Sequence, residues 1–468
     1  MVFESLFILA AILISLLYHE TITIQLIKSF LAVFGLGVGL NLLTRKQHKV
    51  EPTLKESILI VALSWFVLGT FGTFPYLFTH SIPTFTNAFF ESISGFTTTG
   101  SSILTDIEAL PKSILFWRAE THWIGGMGVI VLVVAIMPFL KINGIQLFNS
   151  ETSNVADEKI TTRIRYVARN LWLVYVGLTA IEVVFLLFGH MPLFDSVCHS
   201  FATIATGGFS TKNSSIGGYS PYIQYVVTIF MLLSGINFSL HVLLLKGKGR
   251  HAIKNEELKM YLAIILFVGF AITFLLFFKS NLGFEEAFRS AFFQVVSILT
   301  ATGFATANYS NWPEQAIGLI ALLMLIGASA GSTGGGVKVI RHLIALKKLK
   351  QRFRNMVSPN AIWPIRYNGR PIAQNHVARI MAFIITYYLI VIAGTFVMMA
   401  FGQSPSTSFG AVATSMAGIG PGFGRVGPAD NFFFLPAGAK YFLTFLMILG
   451  RLEIYAVIIL FTRSFWRD

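Results

Sequence analysis

Long apolar runs follow one another along the chain, separated by short polar stretches. Most of them reach about 18 residues, the length that a helix needs to cross a hydrocarbon core of roughly 30 Å. Two runs come first, near 3–18 and 22–43, and the first lacks the basic flank and cleavage site of a signal peptide. Eight further spans are predicted near 57–79, 112–139, 170–189, 221–245, 258–278, 313–349, 377–401 and 437–462. The pattern therefore predicts ten membrane-crossing helices.

Four shorter amphipathic stretches lie between these spans and are too short to cross a bilayer. They are Thr84–Ser94, Phe194–Thr203, Glu285–Leu299 and Thr407–Met416. Each leads into a segment rich in threonine or glycine, and the four segments read SISGFTTTG (92–100), FATIATGG (201–208), SILTATGF (297–304) and ATSMAGIG (413–420). We take their key glycines as Gly100, Gly207, Gly303 and Gly420, which are separated by 107, 96 and 117 residues. The repeated unit is a span, a short helix, a non-helical segment and a second span.

Non-helical backbone inside a membrane has to line a cavity or bind an ion, because each unsatisfied polar group in lipid costs several kcal/mol. Four such segments around one axis would supply rings of carbonyl oxygens, which replace the hydration shell of K⁺ in potassium filters. The short helices would also point their negative C-terminal ends at the ion. The candidate ligands are the carbonyls of Thr98, Thr99, Gly100, Ala205, Thr206, Gly207, Ala301, Thr302, Gly303, Gly418, Ile419 and Gly420.

The predicted fold class is an all-α integral membrane protein with a pseudo-four-fold pore. Two N-terminal helices precede four span–pore-loop–span repeats. We divide the chain into the helix pair (1–50) and repeats at 51–145, 146–250, 251–355 and 356–468.

Composition and charge agree with a membrane protein. Hydrophobic residues make up 54% of the chain and charged residues only 12%, whereas soluble domains carry about a quarter charged residues. The net charge is +14, but 26 of the 35 Lys and Arg lie in 41–56, 141–169, 246–259, 338–379 and 463–468. The positive-inside rule makes these stretches and both termini cytoplasmic, which accounts for the charge without nucleic acid. The single cysteine excludes an internal disulfide, and the histidines show no metal-binding spacing.

The predicted span 313–349 contains an interruption of ten small residues, from Gly327 to Gly336. Each glycine costs about 1 kcal/mol relative to alanine in a helix, so this stretch is predicted to form a loop inside the protein. Arg451 lies within the last span, where an unpaired charge costs roughly 2.5–3.5 kcal/mol. It needs water or a partner, and either Glu453 or another buried acid is an alternative to a role beside the pore.

Eight motifs together resemble the TrkH/KtrB superfamily of potassium uptake proteins, over essentially the whole chain. They are ESISGFTTTGSS, WIGGMGVIVL, ATGGFST, ATGFATANYSNWP, IGASAGSTGGGVKVIR, SPNAIWPIRYNG, MAGIGPGFG and GRLEIY. The N-terminal helix pair and the basic stretch through 360–369 make the chain more similar to the TrkH type. The fourth segment departs from the first three, because Ile419 stands where we align Thr99, Thr206 and Thr302.

The resemblance implies a K⁺ uptake protein of the bacterial cytoplasmic (inner) membrane that forms a homodimer. It implies an intramembrane gating loop, for which the candidates are Gly327, Gly331, Gly334, Gly335, Gly336, Lys338 and Arg451. It also implies a cytoplasmic TrkA-type nucleotide-binding regulatory subunit. No GxGxxG motif on a strand–turn–helix unit occurs in this chain, so we expect the nucleotide site to lie in that partner and K⁺ to be the permeant ligand.

Two other function classes were weighed against a gated channel. A secondary transporter coupling K⁺ to Na⁺ or H⁺ would need intramembrane carboxylates, and Glu120, Glu182 and Glu453 are the candidates. A membrane enzyme would need clustered catalytic side chains, which the sequence does not offer. Glu91 is a candidate for supporting the first segment. Acids such as Asp106 and Asp430 are either ordinary solvated loop residues or groups that raise the cation concentration at the outer mouth.

Overall fold

The computed structural model describes residues 1–44, 53–136 and 158–467. Within these ranges the regular secondary structure is helical, apart from a two-stranded antiparallel hairpin of β1 (Arg366–Tyr367) and β2 (Arg370–Pro371). The predicted all-α class is confirmed. The predicted boundaries at 50/51 and 145/146 lie outside the described residues, as does much of the basic stretches 41–56 and 141–169.

The two N-terminal helices, α1 (Val2–Leu17) and α2 (Thr23–Thr44), form the expected hairpin. The hydroxyls of Ser15 and Thr23 lie 2.8 Å apart across its turn. The Glu20 carboxylate accepts hydrogen bonds from the backbone N–H and the hydroxyl of Ser113, which fastens the hairpin to the start of α6 (Lys112–Ile136).

The remaining helices fall into four groups, each with a long helix, a short helix and further helices after it. The first group is α3 (Leu54–Phe71), α4 (Phe74–Phe78), α5 (Phe85–Phe96) and α6; the second is α7 (Glu158–Phe188), α8 (Leu193–Ile204), α9 (Pro221–Ser234), α10 (Phe238–Leu245) and α11 (Gly249–Ile253). The third is α12 (Glu256–Lys279), α13 (Phe284–Leu299), α14 (Glu314–Met324) and α15 (Val339–Val357); the fourth is α16 (Gln374–Ala400), α17 (Pro405–Ala417), α18 (Ala437–Arg451), α19 (Tyr455–Ile458) and α20 (Arg463–Trp466).

Local sequence explains where several helices begin. Thr53 and Glu56 form a reciprocal capping box at the start of α3. Ser220 and Ser404 each cap a helix whose first residue is proline, a position where the missing N–H costs nothing. These caps satisfy backbone donors that the first turn of a helix leaves free.

Three predicted second spans differ from straight helices. The span predicted at 221–245 bends by 97° between α9 and α10, and the one at 437–462 bends by 114° between α18 and α19. The span predicted at 313–349 is not one continuous helix. Only the 11-residue α14 is apolar, whereas α15 is rich in lysine and arginine, which lipid does not accommodate. In the described residues, five helices are long and apolar enough to cross a membrane, or seven if each bent pair counts as one.

Two hydrophobic clusters form the core. The first joins the N-terminal pair with helices of the first and fourth groups, and the second joins helices of the second and third groups. Ala417 and Ile419, at the end of α17, belong to the second cluster although α17 itself packs mainly in the first. The ends of the short helices therefore lie where the two clusters meet.

Candidate functional site

The four short helices α5, α8, α13 and α17 end with the same backbone geometry. In each, a backbone N–H donates to the carbonyl five residues earlier, which is the longer bond of a Schellman motif. The pairs are Thr99 to Ser94 (2.9 Å), Gly207 to Ala202 (2.8 Å), Thr302 to Ser297 (2.9 Å) and Ile419 to Thr414 (3.0 Å). The preceding residue is left-handed in every case: Thr98 (φ 53°), Thr206 (φ 55°), Ala301 (φ 60°) and Gly418 (φ 68°).

Two residues further along, each of the four segments has a second residue with a positive φ, and this residue is always glycine. These are Gly100 (79°), Gly208 (81°), Gly303 (80°) and Gly420 (96°). We call residues 98–100, 206–208, 301–303 and 418–420 the glycine segments. The structure matches Gly208, not Gly207, with Gly100, so our alignment of the second segment is wrong by one residue. Ala205 is then the C-cap residue directly after α8, and Gly207 is the residue equivalent to Thr99.

The glycine segments meet one another around a closed ring in chain order. A Cβ atom at Gly100 would overlap the carbonyl oxygen of Gly207, one at Gly208 that of Thr302, and one at Gly303 that of Ile419. At Gly420 it would lie 2.9 Å from the carbonyl oxygen of Thr99, which closes the ring. Glycine is therefore required at these positions by both the backbone angle and the neighbouring segment.

The four carbonyls at these contacts belong to buried residues, Thr99, Gly207, Thr302 and Ile419. Among the hydrogen bonds of the described residues, none is donated to any of these four oxygens. Buried carbonyl groups in proteins nearly always accept a hydrogen bond. Four buried carbonyl oxygens without a donor, lying side by side, therefore indicate a binding site for a cation. The adjoining helix ends add the negative ends of four helix dipoles.

The predicted interruption of the third group is confirmed: residues 325–338, between α14 and α15, are not helical. This loop lies directly against the ends of three short helices. The Thr333 hydroxyl donates to the carbonyl of Ile204 (3.0 Å), and a Cβ at Gly334 would lie 2.5 Å from the carbonyl oxygen of Thr300. A Cβ at Gly335 would overlap the carbonyl oxygen of Ala417.

Glycines also allow the turns at either end of the loop. Gly331 (φ 73°) packs beside the Asn237 side chain, and Gly336 (φ 74°) packs against Gly327. The ammonium of Lys338 donates back to the carbonyl of Gly334. Five glycines and Lys338, the predicted gate residues, are thus all within one compact loop.

Arg451 connects this loop to the first group. Its guanidinium donates to the carbonyl of Thr333 (2.8 Å) in the loop and to the carbonyl of Gly125 (3.2 Å) on α6. Gly125 itself packs on the last residue of α5, Phe96. The alternative partner, Glu453, instead pairs with Arg341 of α15. A cavity of about 10 Å³ remains between the loop, the end of α17 and Arg451.

A buried ion pair between Glu91 and Arg118 supports the first glycine segment. The Glu91 carboxylate accepts from Arg118 Nε (2.9 Å) and from the backbone N–H of Ile103 (2.9 Å). Arg118 also donates to the carbonyl of Ser210 (3.1 Å), two residues past the second glycine segment, and stacks over Phe209. Glu91 was a candidate for this support, but Arg118 was missed; its position in an apolar span was the available signal.

His122 of α6 also joins two segments. Its Nδ1 lies 2.8 Å from the carbonyl of Gly95, and the backbone N–H of Phe209 donates to its Nε2 (3.2 Å). Because Nε2 accepts, the proton is on Nδ1 and the ring is neutral. The first and second segments are thus held together by one histidine and one arginine.

Residues that follow the glycine segments line a larger cavity of about 240 Å³. Its walls include Asn213, Thr306, Asn308 and Pro428. The Asn213 side chain donates to Asp106 (2.8 Å), and this hydrogen bond holds the pKa of the Asp106 carboxyl below its usual range. Asp106 is therefore charged at neutral pH. The transporter candidates Glu120 and Glu182 are buried, and in the described ranges no group of three or more His, Cys, Asp or Glu could hold a metal ion.

Comparisons with known proteins give consistent matches over the full length. The family model "TrkH: Cation transport protein" matches residues 23–285 and 280–467. The Trk system potassium uptake protein TrkH of Salmonella typhimurium is 38% identical, over 97% of this chain and 95% of the relative. TrkG of Escherichia coli is 34% identical, over 99% and 96%. The crystal structure of the potassium transporter TrkH from Vibrio parahaemolyticus has a TM-score of 0.91 at 35% identity, over 100% of this chain and 97% of that one.

Proposed function

The chain belongs to the TrkH family of cation transport proteins, and from this premise we propose that it takes up K⁺ through the ring of glycine segments. The observation that carries the proposal is the closed ring of buried carbonyl oxygens without a hydrogen-bond donor. Full-length relatives named as potassium uptake proteins support the choice of ion.

The ring can replace the hydration shell of a cation. Carbonyl oxygens from four segments replace hydration-shell oxygens, and the C-terminal ends of four short helices stabilise positive charge near them. Within the segments, the ligands would come from Thr98, Thr99 and Gly100, from Thr206, Gly207 and Gly208, from Ala301, Thr302 and Gly303, and from Gly418, Ile419 and Gly420. Gly208 replaces Ala205 in the predicted set because of the corrected alignment.

Passage is controlled, in this proposal, by the loop 325–338. It covers the inner ends of the short helices, and Arg451 holds it against α6 with a positive charge close to the ion path. A cation leaving the ring would meet both the loop backbone and that guanidinium. The loop must move aside before ions pass.

The setting follows from the same family membership and from charge. We place the protein in the bacterial inner membrane with both termini cytoplasmic, as the basic stretches require. Its assembly would be a homodimer with a TrkA-type nucleotide-binding regulatory subunit on the basic cytoplasmic face. The nucleotide would bind that subunit, and no catalytic chemistry is assigned to this chain.

Cation flux into liposomes carrying the purified protein tests the function. We expect passive tracer flux with K⁺ and Rb⁺ ahead of Na⁺, with no other gradient imposed. Flux that begins only when an Na⁺ or H⁺ gradient is added would contradict a channel and favour a coupled transporter.

Removing residues 329–335 tests the gate. Without the regulatory subunit, the shortened protein should conduct at least roughly tenfold faster than the intact chain, since the loop's hydrogen bonds no longer favour the closed state. A matched variant, Gly402→Ala in the exposed turn between α16 and α17, changes a loop position where an added Cβ has no atom within 4 Å. Equal flux from the deletion and the intact protein would place the gate elsewhere.

A further inference from the structure

One buried carboxylate contacts both the loop and the helix that follows it. Glu257, the second residue of α12, is 2% exposed. Its Oε1 accepts from the backbone N–H of Ala330 in the loop (2.6 Å) and from the backbone N–H of Ile340 in α15 (3.2 Å). One carboxylate oxygen on α12 therefore binds both the loop and α15, at two backbone N–H groups that are ten residues apart in the chain.

Each of these two donors needs this acceptor. Ile340 is the second residue of α15, where a helix has no internal acceptor for its N–H groups, and a carboxylate there also complements the positive end of the helix dipole. Ala330 lies in the buried loop, between Ser329, which donates to the carbonyl of Gly235 (3.0 Å), and Gly331, which accepts from Phe238 (3.0 Å). Displacing α15 from α12 would break the hydrogen bond from Ile340 directly, and the one from Ala330 once the loop moves with α15.

The cytoplasmic end of α12 supplies a route by which such a displacement could arise. Glu256, next to Glu257, pairs with Lys347 of α15, and its backbone N–H donates to the Asn368 side chain (3.0 Å) in the β1–β2 hairpin. The Lys347 ammonium also donates to the carbonyl of Arg366 (2.7 Å). A force on the hairpin or on α15 is therefore applied beside Glu257.

We propose that Glu257 is a latch that holds the loop closed and makes its release depend on the position of α15. The proposal rests on the proposed function of the loop as a gate and adds the residue that couples it to the cytoplasmic face. Glu257 is a positioning residue: it acts on the ion path only through the loop. The contacts of Thr333 and Arg451 hold the far side of the loop, so Glu257 controls the side that joins α15.

The test measures Rb⁺ tracer flux for Glu257→Ala, Glu257→Gln and the control Lys259→Gln, an exposed residue of the same helix α12, each in the intact chain and in the chain lacking 329–335. In the intact chain, Glu257→Ala should raise flux roughly tenfold, because a hydrogen bond to a charged group is worth about a factor of ten or more in an equilibrium constant. Glu257→Gln keeps an acceptor oxygen and should raise flux less. In the shortened chain, none of the three should change flux.

A second readout reports the loop directly. Cys198, the only cysteine, is buried, so a cysteine introduced as Ser332→Cys at a 3% exposed position can be followed with a water-soluble thiol reagent. The labelling rate should rise about tenfold with Glu257→Ala and stay unchanged with Lys259→Gln. Where Glu257→Ala does not assemble, Glu257→Gln should still raise the labelling rate above that of Lys259→Gln.

The outcomes separate the latch from the gate. If loop deletion itself leaves flux unchanged, the proposed gate fails and the latch with it. If loop deletion raises flux but the Glu257 variants match Lys259→Gln in flux and labelling, only the latch is overturned. A rise with Glu257→Ala that persists in the shortened chain overturns it too, because the effect then does not pass through the loop.

Discussion

The ring of glycine segments and the loop beside it are both made of glycine-rich backbone, but they are held in place in different ways. The ring is fixed by steric fit: each of its glycines faces a neighbouring carbonyl with no space for a side chain, and this fit is repeated in four segments. The loop occurs once in the described chain, in the third group. Two polar side chains from elsewhere, those of Glu257 and Arg451, and two of its own, those of Thr333 and Lys338, hold it.

This difference separates two requirements of transport. Steric fit between backbones leaves few alternative arrangements, which suits a site that must keep its dimensions while ions pass. A few hydrogen bonds, each worth about 0.5–3 kcal/mol net, can be exchanged by a modest force, which suits a part that must move. The same residue type thus serves rigidity in one region and mobility in the other, according to what surrounds it.

Replacing a ring glycine should have the largest effect. Gly303→Ala puts a Cβ against the carbonyl of Ile419 at a φ of 80°, so we expect K⁺ flux to fall by about a hundredfold or more, since the left-handed backbone alone costs about 1–2 kcal/mol before the overlap is counted. Gly318→Ala, in the exposed part of α14 with no atom within 4 Å, is the control and should conduct normally. Normal flux and ion preference in Gly303→Ala would show that the ring does not depend on steric fit.

Breaking the buried ion pair behind the ring should come next. Arg118→Met leaves the Glu91 carboxylate buried without its cation, which costs about 3–5 kcal/mol, so the protein in detergent should lose its fold at a clearly lower temperature. Lys212→Met removes one partner of the exposed pair with Glu108 and should cost less than about 1 kcal/mol. Thermal unfolding followed by tryptophan fluorescence compares the two; similar midpoints would mean that the ring needs no such support.

Loosening the loop at Arg451 should have the smallest of these effects. Arg451→Gln removes the donor to Thr333 or to Gly125 but leaves the other loop contacts, so flux without a regulatory subunit should rise roughly threefold to tenfold, with K⁺ still ahead of Na⁺. Arg250→Gln on α11, whose side chain is exposed, is the matched control. If Arg451→Gln lost its preference for K⁺ over Na⁺, Arg451 would contribute to the selectivity of the ring, and the ring and the loop would not be functionally separate.

Helix positions and the interruption could be predicted from sequence because their causes are local. An apolar run of sufficient length predicts a membrane-spanning helix, and a run of glycine and other small residues predicts an interruption of that helix. The bends between Ser234 and Phe238 and between Arg451 and Tyr455 were missed, because neighbouring segments rather than local composition stabilise them; the backbone of Gly235 and Phe238, for example, pairs with the loop.

The alignment of the second glycine segment failed for a different reason. The sequence Ala205–Thr206–Gly207–Gly208 offers two glycines, and matching the threonine–glycine pair selects the first. The left-handed residue before the turn is set by hydrogen bonds at the end of α8, which composition does not reveal. Arg118 and Glu257 were missed because their partners lie on other helices or in the loop, and only the tertiary fold brings them together.

Closure of the ring by one continuous chain has a consequence for how such a site can change. In an assembly of identical subunits, every substitution is imposed on all quarters of the ring together. Here Thr99, Gly207, Thr302 and Ile419 occupy equivalent positions with three different side chains, so each quarter can be altered alone while the other three preserve the geometry. Gradual adjustment, one quarter at a time, is open to this protein both in evolution and in engineering.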